Sequence, residues 1–233
     1  MAAFEDSSVS LENFSGKVRL FPLPNLVLFP HVMQPLHIFE SRYRELLEDA
    51  LAGDRLIAMA VLASGWEKNY EGRPPLYSMA CLGQLTTHFR LDDGTYNVLL
   101  LGLQRVRIVQ EIAPSRLFRE AKVELCEDQY PMHSPDRQKA LRQQLHQVLL
   151  KIVPSLPEAE EQLDQLLGDD VPLGVLTDVI SYMLDVDLVS KHGLLSETDV
   201  YRRAELLLSY LIKTKGAAGG CLTTDFAPRF SDN

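Results

Sequence analysis

Hydrophobic positions along this chain change rhythm several times. From Val18 to Glu40 they come in short runs, Leu20-Phe21, Leu23 and Leu26-Val27-Leu28-Phe29, cut by Pro22, Pro24, Pro30 and Pro35. A proline fixes its own φ and drives the residue before it to extended backbone. This segment therefore predicts short extended pieces joined by bends and threaded through a core. The period then becomes helical: Tyr43, Leu46, Leu47, Ala50 and Leu51 form an i, i+3, i+4, i+7, i+8 stripe. It predicts a helix from Ser41 to Ala52, with Ser41 as N-cap and Gly53 as its stop. The run Leu56 to Leu62 is continuously apolar and short, the pattern of a strand buried on both faces.

Residues 64–78 are polar and turn-rich, and they hold Trp66, Tyr70 and Tyr77. Beyond them Leu85, Thr87, Phe89 and Leu91 alternate with Thr86, His88 and Arg90. Asp92-Asp93-Gly94-Thr95 then predicts a hairpin turn. The return strand, Val98 to Leu101, is apolar on both faces. Gly102 interrupts it as a bulge or barrel corner would. Val106 and Ile108 then alternate with Arg105 and Arg107, which predicts one solvated face. A strand near 117–125 follows, and Gln129-Tyr-Pro-Met-His-Ser-Pro marks a boundary.

From Ser134 the period is helical again. Leu141, Leu145, Val148, Leu149 and Ile152 make one stripe, stopped by Pro154 and Pro157. A short helix is expected over 158–167. Another starts near Pro172, with Leu173, Leu176, Val179, Ile180, Met183 and Leu184 apolar. A turn or short helix covers 188–195. Ser196-Glu-Thr-Asp199 has capping-box form and opens the last helix, with Val200, Ala204, Leu207, Leu208 and Leu211 inward. The pattern predicts an α+β chain: a flexible 1–15, a β-rich lobe over 16–128 built as a small barrel or bent sheet, a helical bundle over 129–213, and a disordered tail over 214–233.

Composition narrows the chemistry. The chain of 233 residues has a formal net charge of −9, shared by both lobes, which argues against a phosphate-backbone binder. Arg90, His88, Arg105, Arg107, Lys17 and Arg19 form a conceivable basic stripe, but pairing with Glu111, Glu120 and Glu124 is the simpler expectation. Cys81, Cys126 and Cys221 lie far apart, neither a disulfide framework nor a zinc motif, and a reducing cytoplasm fits them. The N-terminus lacks an apolar signal region, and no run approaches the roughly 20 residues of a membrane helix.

Candidate sites are few. His31 and His37 have no carboxylate or cysteine at ligand spacing. Asp92 and Asp93 belong to a turn. Asp169, Asp170, Asp185 and Asp187 read as caps and connectors. Cys81 and His88 lie seven residues apart in one strand, so they face opposite sides and do not pair. No catalytic residue, cofactor or metal is expected. Trp66, Tyr70 and Tyr77 remain the best candidates for a partner-binding surface, because Trp and Tyr are enriched at interface hot spots and loops carry function. The competing expectation is that the loop folds back and they cap the barrel.

Several stretches in order resemble the N-terminal domain of Lon-type ATP-dependent proteases, in its stand-alone bacterial form. They are Leu20 to Pro30, Pro35-Leu-His-Ile-Phe-Glu-Ser-Arg-Tyr43, Cys81-Leu-Gly-Gln-Leu85, Asp93 to Ile108, Leu176-Thr-Asp-Val-Ile180 and Lys191 to Arg203. The resemblance implies a PUA-like β-rich lobe followed by a helical bundle. It also implies recognition of unfolded or partner proteins, with a separate ATP-dependent protease as a candidate recipient. No G-x-x-x-x-G-K-[ST] loop or protease serine motif accompanies it, so a binding role without proteolysis is expected. A nucleic-acid-binding PUA-like protein is the alternative.

Overall fold

The computed structural model describes residues 11, 14–70, 72–131, 134–149, 171–216 and 231–232. The helix expected over 158–167, the flanking Ile152, Pro154, Pro157, Asp169 and Asp170, and Cys221 lie outside them.

Seven strands form one sheet in the order β4-β3-β1-β6-β5-β2-β7, and β4 also pairs with β5. The strands are β1 (Lys17–Leu23), β2 (Met33–Ile38), β3 (Leu56–Val61), β4 (Met79–Arg90), β5 (Tyr96–Glu111), β6 (Arg119–Cys126) and the two-residue β7 (Ser231–Asp232). The β4–β5 pairing closes β1, β3, β4, β5 and β6 into a ring. Strand β1 runs parallel to β3, so the chain needs a crossover between them. The proline-cut segment, β2 and α1 (Ser41–Leu51) supply it.

Alternation along each strand sorts the core. Val18, Leu20, Leu56, Ala58, Ala60, Ala80, Leu82, Val106, Ala121 and Val123 pack together and fill the ring from all five strands. The opposite faces of β1 and β3 (Phe21, Leu23, Ile57, Met59, Val61) join α1 and the helices in a second, larger core. Both faces of β3 are thus covered, which is why its sequence is an unbroken apolar run.

Strand β5 changes partner midway. Residues 96–101 pair with β2, and residues 105–111 pair with β6. Gly102 stands at the change. Its N–H donates to the Val32 carbonyl and its own carbonyl accepts from the His31 N–H, each at 2.8 Å. A Cβ there would overlap the Phe29 carbonyl oxygen. The register also shifts between Leu82 and Gly83, where Leu82 faces Gln104 and Gly83 faces Gly102. The corner expected at Gly102 is present because the proline-cut loop rests on it. The 91–95 turn is also as expected: Gly94 takes φ 81°, and Asp93 Oδ1 accepts from Thr95 N (3.0 Å) and Oγ1 (2.7 Å).

The helical part comprises α2 (Pro135–Leu149), α3 (Leu173–Met183), α4 (Leu188–Ser196) and α5 (Val200–Gly216). Helix α5 packs against α2 and α3, and α4 against β4. Leu145, Leu176, Ile180, Leu194, Leu207 and Leu211 join the same buried cluster as Phe21 and Leu36. The lobes therefore share one core.

Three local expectations need correction. The N-cap of α1 is Glu40, whose side chain makes no cap bond, and Ser41 is the first helical residue. Ser196 ends α4, with its Oγ donating to the His192 carbonyl (2.8 Å). Asp199 caps α5 instead, accepting from Tyr201 N (2.9 Å) and Arg202 N (3.2 Å). Asp199 directly precedes Val200, the first helical residue, so its carboxylate reaches those donors, whereas Ser196 lies four residues before the helix. The third is Arg105. It was expected on a solvated face and is 2% exposed, because the helical lobe covers that part of β5.

Candidate functional site

The aromatic loop is stapled at its ends: Ala63 N donates to the Pro75 carbonyl (2.8 Å) and Tyr77 N to the Val61 carbonyl (3.0 Å). Within it Gly65, at φ 90°, starts a single 3-10 turn over Trp66–Asn69. Trp66 sets its edge against Tyr70 at 5.6 Å between ring centroids. Tyr70 donates its hydroxyl to Glu40 Oε1 (2.8 Å), and its carbonyl accepts from Arg42 Nη1 (3.3 Å). The Arg42 guanidinium lies 4.7 Å from the rings of both Tyr43 and Tyr70. Burial and the bond to Glu40 push the Tyr70 phenol pKa up. Tyr77 lies elsewhere, stacked on His192 of α4 at 4.4 Å. The structure thus brings Trp66 and Tyr70 together against the start of α1 and sends Tyr77 toward the helices. All three are half-buried.

Beside Tyr70 opens a cleft of about 660 Å³ between α1, the 72–74 segment and the 114–119 segment. Its lining includes Pro22, Glu40, Arg42, Tyr43, Arg73, Arg116, Phe118 and Arg119. Arg119 is buried, donating to both oxygens of Glu111 and to the Pro74 carbonyl (2.8 Å). Tyr43 anchors the floor through its hydroxyl bond to the Pro22 carbonyl (2.9 Å), and burial raises its pKa.

A second surface lies at the other end of the barrel. Strands β2, β5 and the outer half of β4 sit side by side, with His37 opposite Asn97 and Asn97 opposite Phe89. Pro35 likewise faces Leu99, which faces Thr87, and Met33 faces Leu101. Alternation puts these residues on one face, with Gln34, Leu36, Ile38, Val98 and Leu100 between them buried on the other, although Pro35 on this face is covered as well. Phe89 is 67% exposed, Phe39 44% and Met33 41%. Phe39 stacks on His37 at 6.1 Å. Sequence reasoning named Phe89 only as a member of an alternating strand. Its signal was an aromatic at the wet end of a hairpin, and pairing with β2 is what makes it part of a patch.

Two buried arginines elsewhere are engaged. Arg105 donates through Nη1 (2.9 Å) and Nη2 to Asp178 and through Nε to the Leu195 carbonyl (2.8 Å). Arg203 of α5 donates to Asp128 through Nη1 (2.9 Å) and Nη2 (2.6 Å) and to Thr177 Oγ1 (2.9 Å). Burial works against the charge on Arg105, and the bonds and charge of Asp178, with Asp128, more than offset it, so its pKa is raised. Arg19 is held by Asp49 and Asp54, and Lys17 by Glu120. The conceivable basic stripe does not form as one open face: Lys17 and Arg19 are paired, and Arg105 is inside.

Catalytic geometry is not assembled from the candidates. Cys81 is fully buried, and burial raises its thiol pKa, the opposite of an activated nucleophile. Ser196 Oγ is 3.3 Å from His192 Nδ1, yet its proton is directed to the His192 carbonyl. The ring is covered by Tyr77 and bonded through Nε2 to the Met79 carbonyl (3.1 Å), so a substrate has no approach. Among the described residues no three His, Cys, Asp or Glu are grouped to hold a metal ion, and no helix is long and apolar enough to cross a membrane.

Comparison with known proteins gives a consistent answer. The Lon protease of Cytophaga hutchinsonii is 25% identical over 213 residues, covering 90% of this chain and 26% of that protein. The Lon protease of Xanthomonas oryzae is 30% identical over 191 residues, 81% of this chain and 22% of that protein. The chain spans about a quarter of the length of these curated relatives. The N-terminal domain of the Mycobacterium avium complex Lon protease superposes with a TM-score of 0.65 at 18% identity, covering 84% of this chain and 98% of that one. A Lon N-terminal domain protein from Xanthomonas campestris gives 0.60 at 22% identity, with 83% and 97% covered. These solved structures share the α+β fold described above. Residues 17–213 match the family described as the ATP-dependent protease La (LON) substrate-binding domain, and the chain belongs to that family.

Proposed function

We propose that the chain is a non-enzymatic binding module that takes extended apolar segments of unfolded or partner proteins on the outward face of β2, β5 and the outer half of β4. The observation that carries this reading is the exposed set Met33 and Phe89 on paired strands, with Phe39 just beyond the end of β2, in a substrate-binding-domain fold. Isolated exposed apolar residues are ordinary, whereas a contiguous apolar patch marks an interaction surface. Handing such segments to a separate ATP-dependent protease, as an adaptor, fits the relatives, in which this domain is about a quarter of the chain. A reducing cytoplasm suits Cys81 and Cys126, which are free thiols.

The test is fluorescence anisotropy with a labelled, carboxymethylated lactalbumin, which stays unfolded. Burying an aromatic or aliphatic side chain stabilises a contact by about 1.5–3 kcal/mol. The double variant Met33→Ser with Phe89→Ser is therefore expected to bind at least about tenfold more weakly with an unchanged thermal midpoint. Unchanged affinity in that variant would overturn the placement of the surface.

A further inference from the structure

The cleft beside α1 gathers arginines in a chain that is acidic as a whole. At a net charge of −9, its described lining holds Arg42, Arg73, Arg116 and Arg119 with Glu40, and Glu111 and Asp49 meet three of these arginines. Arg119 is fully engaged by Glu111 and the Pro74 carbonyl. Arg42 is held by Glu40 and two tyrosine rings. The other two are looser. Arg73 has Glu111 at 3.9 Å, beyond hydrogen-bond reach. Arg116 meets Asp49 through Nη1 at 2.7 Å, and Asp49 is shared with Arg19. Both guanidiniums are partly open to solvent. Helix α1 begins on the same cleft, with Glu40 at its N-cap position and no acidic residue in its first turn.

Between these charges the lining also holds apolar side chains. Phe118 lies under Arg116 at 5.5 Å, and Leu117 is 65% exposed beside it. An open cleft with two partly exposed guanidiniums suits one planar carboxylate, which arginine grips through paired N–H groups. It does not suit the repeating charges of a nucleic-acid backbone, which need a track of cations.

We propose that this cleft binds the free C-terminal end of a polypeptide, with the α-carboxylate between Arg73 and Arg116 and the last apolar side chain against Leu117 and Phe118. The proposal rests on the reading of the chain as a protein-binding module and adds a second site to it. The hairpin face takes internal apolar segments, and the cleft takes chain ends.

Two labelled ten-residue peptides test it, identical in sequence, polar except for a final Leu-Phe, one ending in a free carboxylate and the other in an amide. With the full chain, the free acid is expected to bind at least about tenfold more tightly, the scale of one charge-assisted pair. Arg73→Gln with Arg116→Gln should bring the acid to the level of the amide, with a thermal melt confirming the fold. Met33→Ser with Phe89→Ser should leave the acid preference intact. Equal binding of acid and amide overturns the proposal, even when unfolded lactalbumin still binds through Phe89. Failure of lactalbumin as well as both peptides takes the protein-binding reading down with it. A single-stranded RNA oligonucleotide that binds the parent chain and loses binding in the arginine variant, without an acid preference, overturns the proposal in favour of a nucleic-acid site.

Discussion

Replacing Asp178 by alanine removes the acceptor at the centre of the buried cluster between the lobes. Asp178 is fully buried, takes two hydrogen bonds from Arg105 and lies 3.3 Å from Arg203 Nε. Alanine leaves Asp128 as the one carboxylate in contact with both guanidiniums. A hydrogen bond to a charged group contributes about 1.5–3 kcal/mol, so two amount to about 3–6 kcal/mol. Breaking a buried pair by removing one partner costs about 3–5 kcal/mol, and the two routes agree on about 4 kcal/mol. For a chain of this size that lowers the thermal midpoint by about 8–16 °C. The comparison is Lys17→Ala, which breaks the pair between Lys17, half in solvent, and Glu120, and which should cost under about 1 kcal/mol. Urea denaturation followed by circular dichroism measures both. The decisive variant is Arg105→Met with Asp178→Leu, which removes both charges and leaves Arg203 on Asp128. Apolar replacement of a buried pair is often close to neutral, so this double variant should regain at least half of the loss. A loss below about 1 kcal/mol in Asp178→Ala, or a double variant no more stable than the single one, refutes the reasoning.

Three further outcomes follow from local geometry. Gly102→Ala drives a methyl group into the Phe29 carbonyl, a backbone atom that has nowhere to go, and should cost about 3 kcal/mol or more, read as a lower urea midpoint. Asp199→Ala removes the cap of α5 and should cost about 1 kcal/mol, whereas Ser196→Ala costs clearly less; the reverse ranking would restore the capping-box reading. Burial lowers the His192 pKa below its ordinary 6.5, opposed by the bond to the Met79 carbonyl. The unfolded chain therefore takes up a proton that the folded protein resists, so this contribution is complete above pH 6.5 and is lost as pH falls toward the lower folded value. The difference in thermal midpoint between the parent and His192→Phe, which keeps the stack on Tyr77, should change over that window and level off on either side of it.

What was legible in the sequence was what neighbours along the chain decide. The α1 stripe, the buried run of β3, the Asp93-Gly94 turn and the corner at Gly102 all rest on residues a few positions apart. Ring closure was not legible, because β1 meets β3 and β6 through partners 38 and 103 residues away, as in Arg19 with Ile57 and Val18 with Ala121. The candidate site divided for the same reason. Trp66 and Tyr70 share a short loop and remained neighbours. Tyr77 lies only seven positions from Tyr70, yet the Leu62–Leu76 bridge turns the chain so that it meets α4 instead. The hairpin patch needed β2 to lie beside β5, and no local pattern announces that.

Arg105 shows most clearly why alternation misleads. In Arg105-Val-Arg-Ile108 the two arginines occupy equivalent positions of one strand, and nothing nearby separates them. Arg107 is exposed and Arg105 is inside, because Asp178, 73 residues further on, supplies a buried carboxylate at one position and not the other. The same strand carries the proposed binding face at Asn97, Leu99 and Leu101 and bends at Gly102 against the Phe29 carbonyl. One continuous strand thus presents the face at one end and is clamped to the helices at the other. A face built on a clamped strand is set before any partner arrives, so binding loses little freedom in the framework. The buried charges supply direction rather than strength: well-packed apolar residues would serve stability as well, and the bonds of Arg105 to Asp178 and to the Leu195 carbonyl tie β5 to α3 and α4.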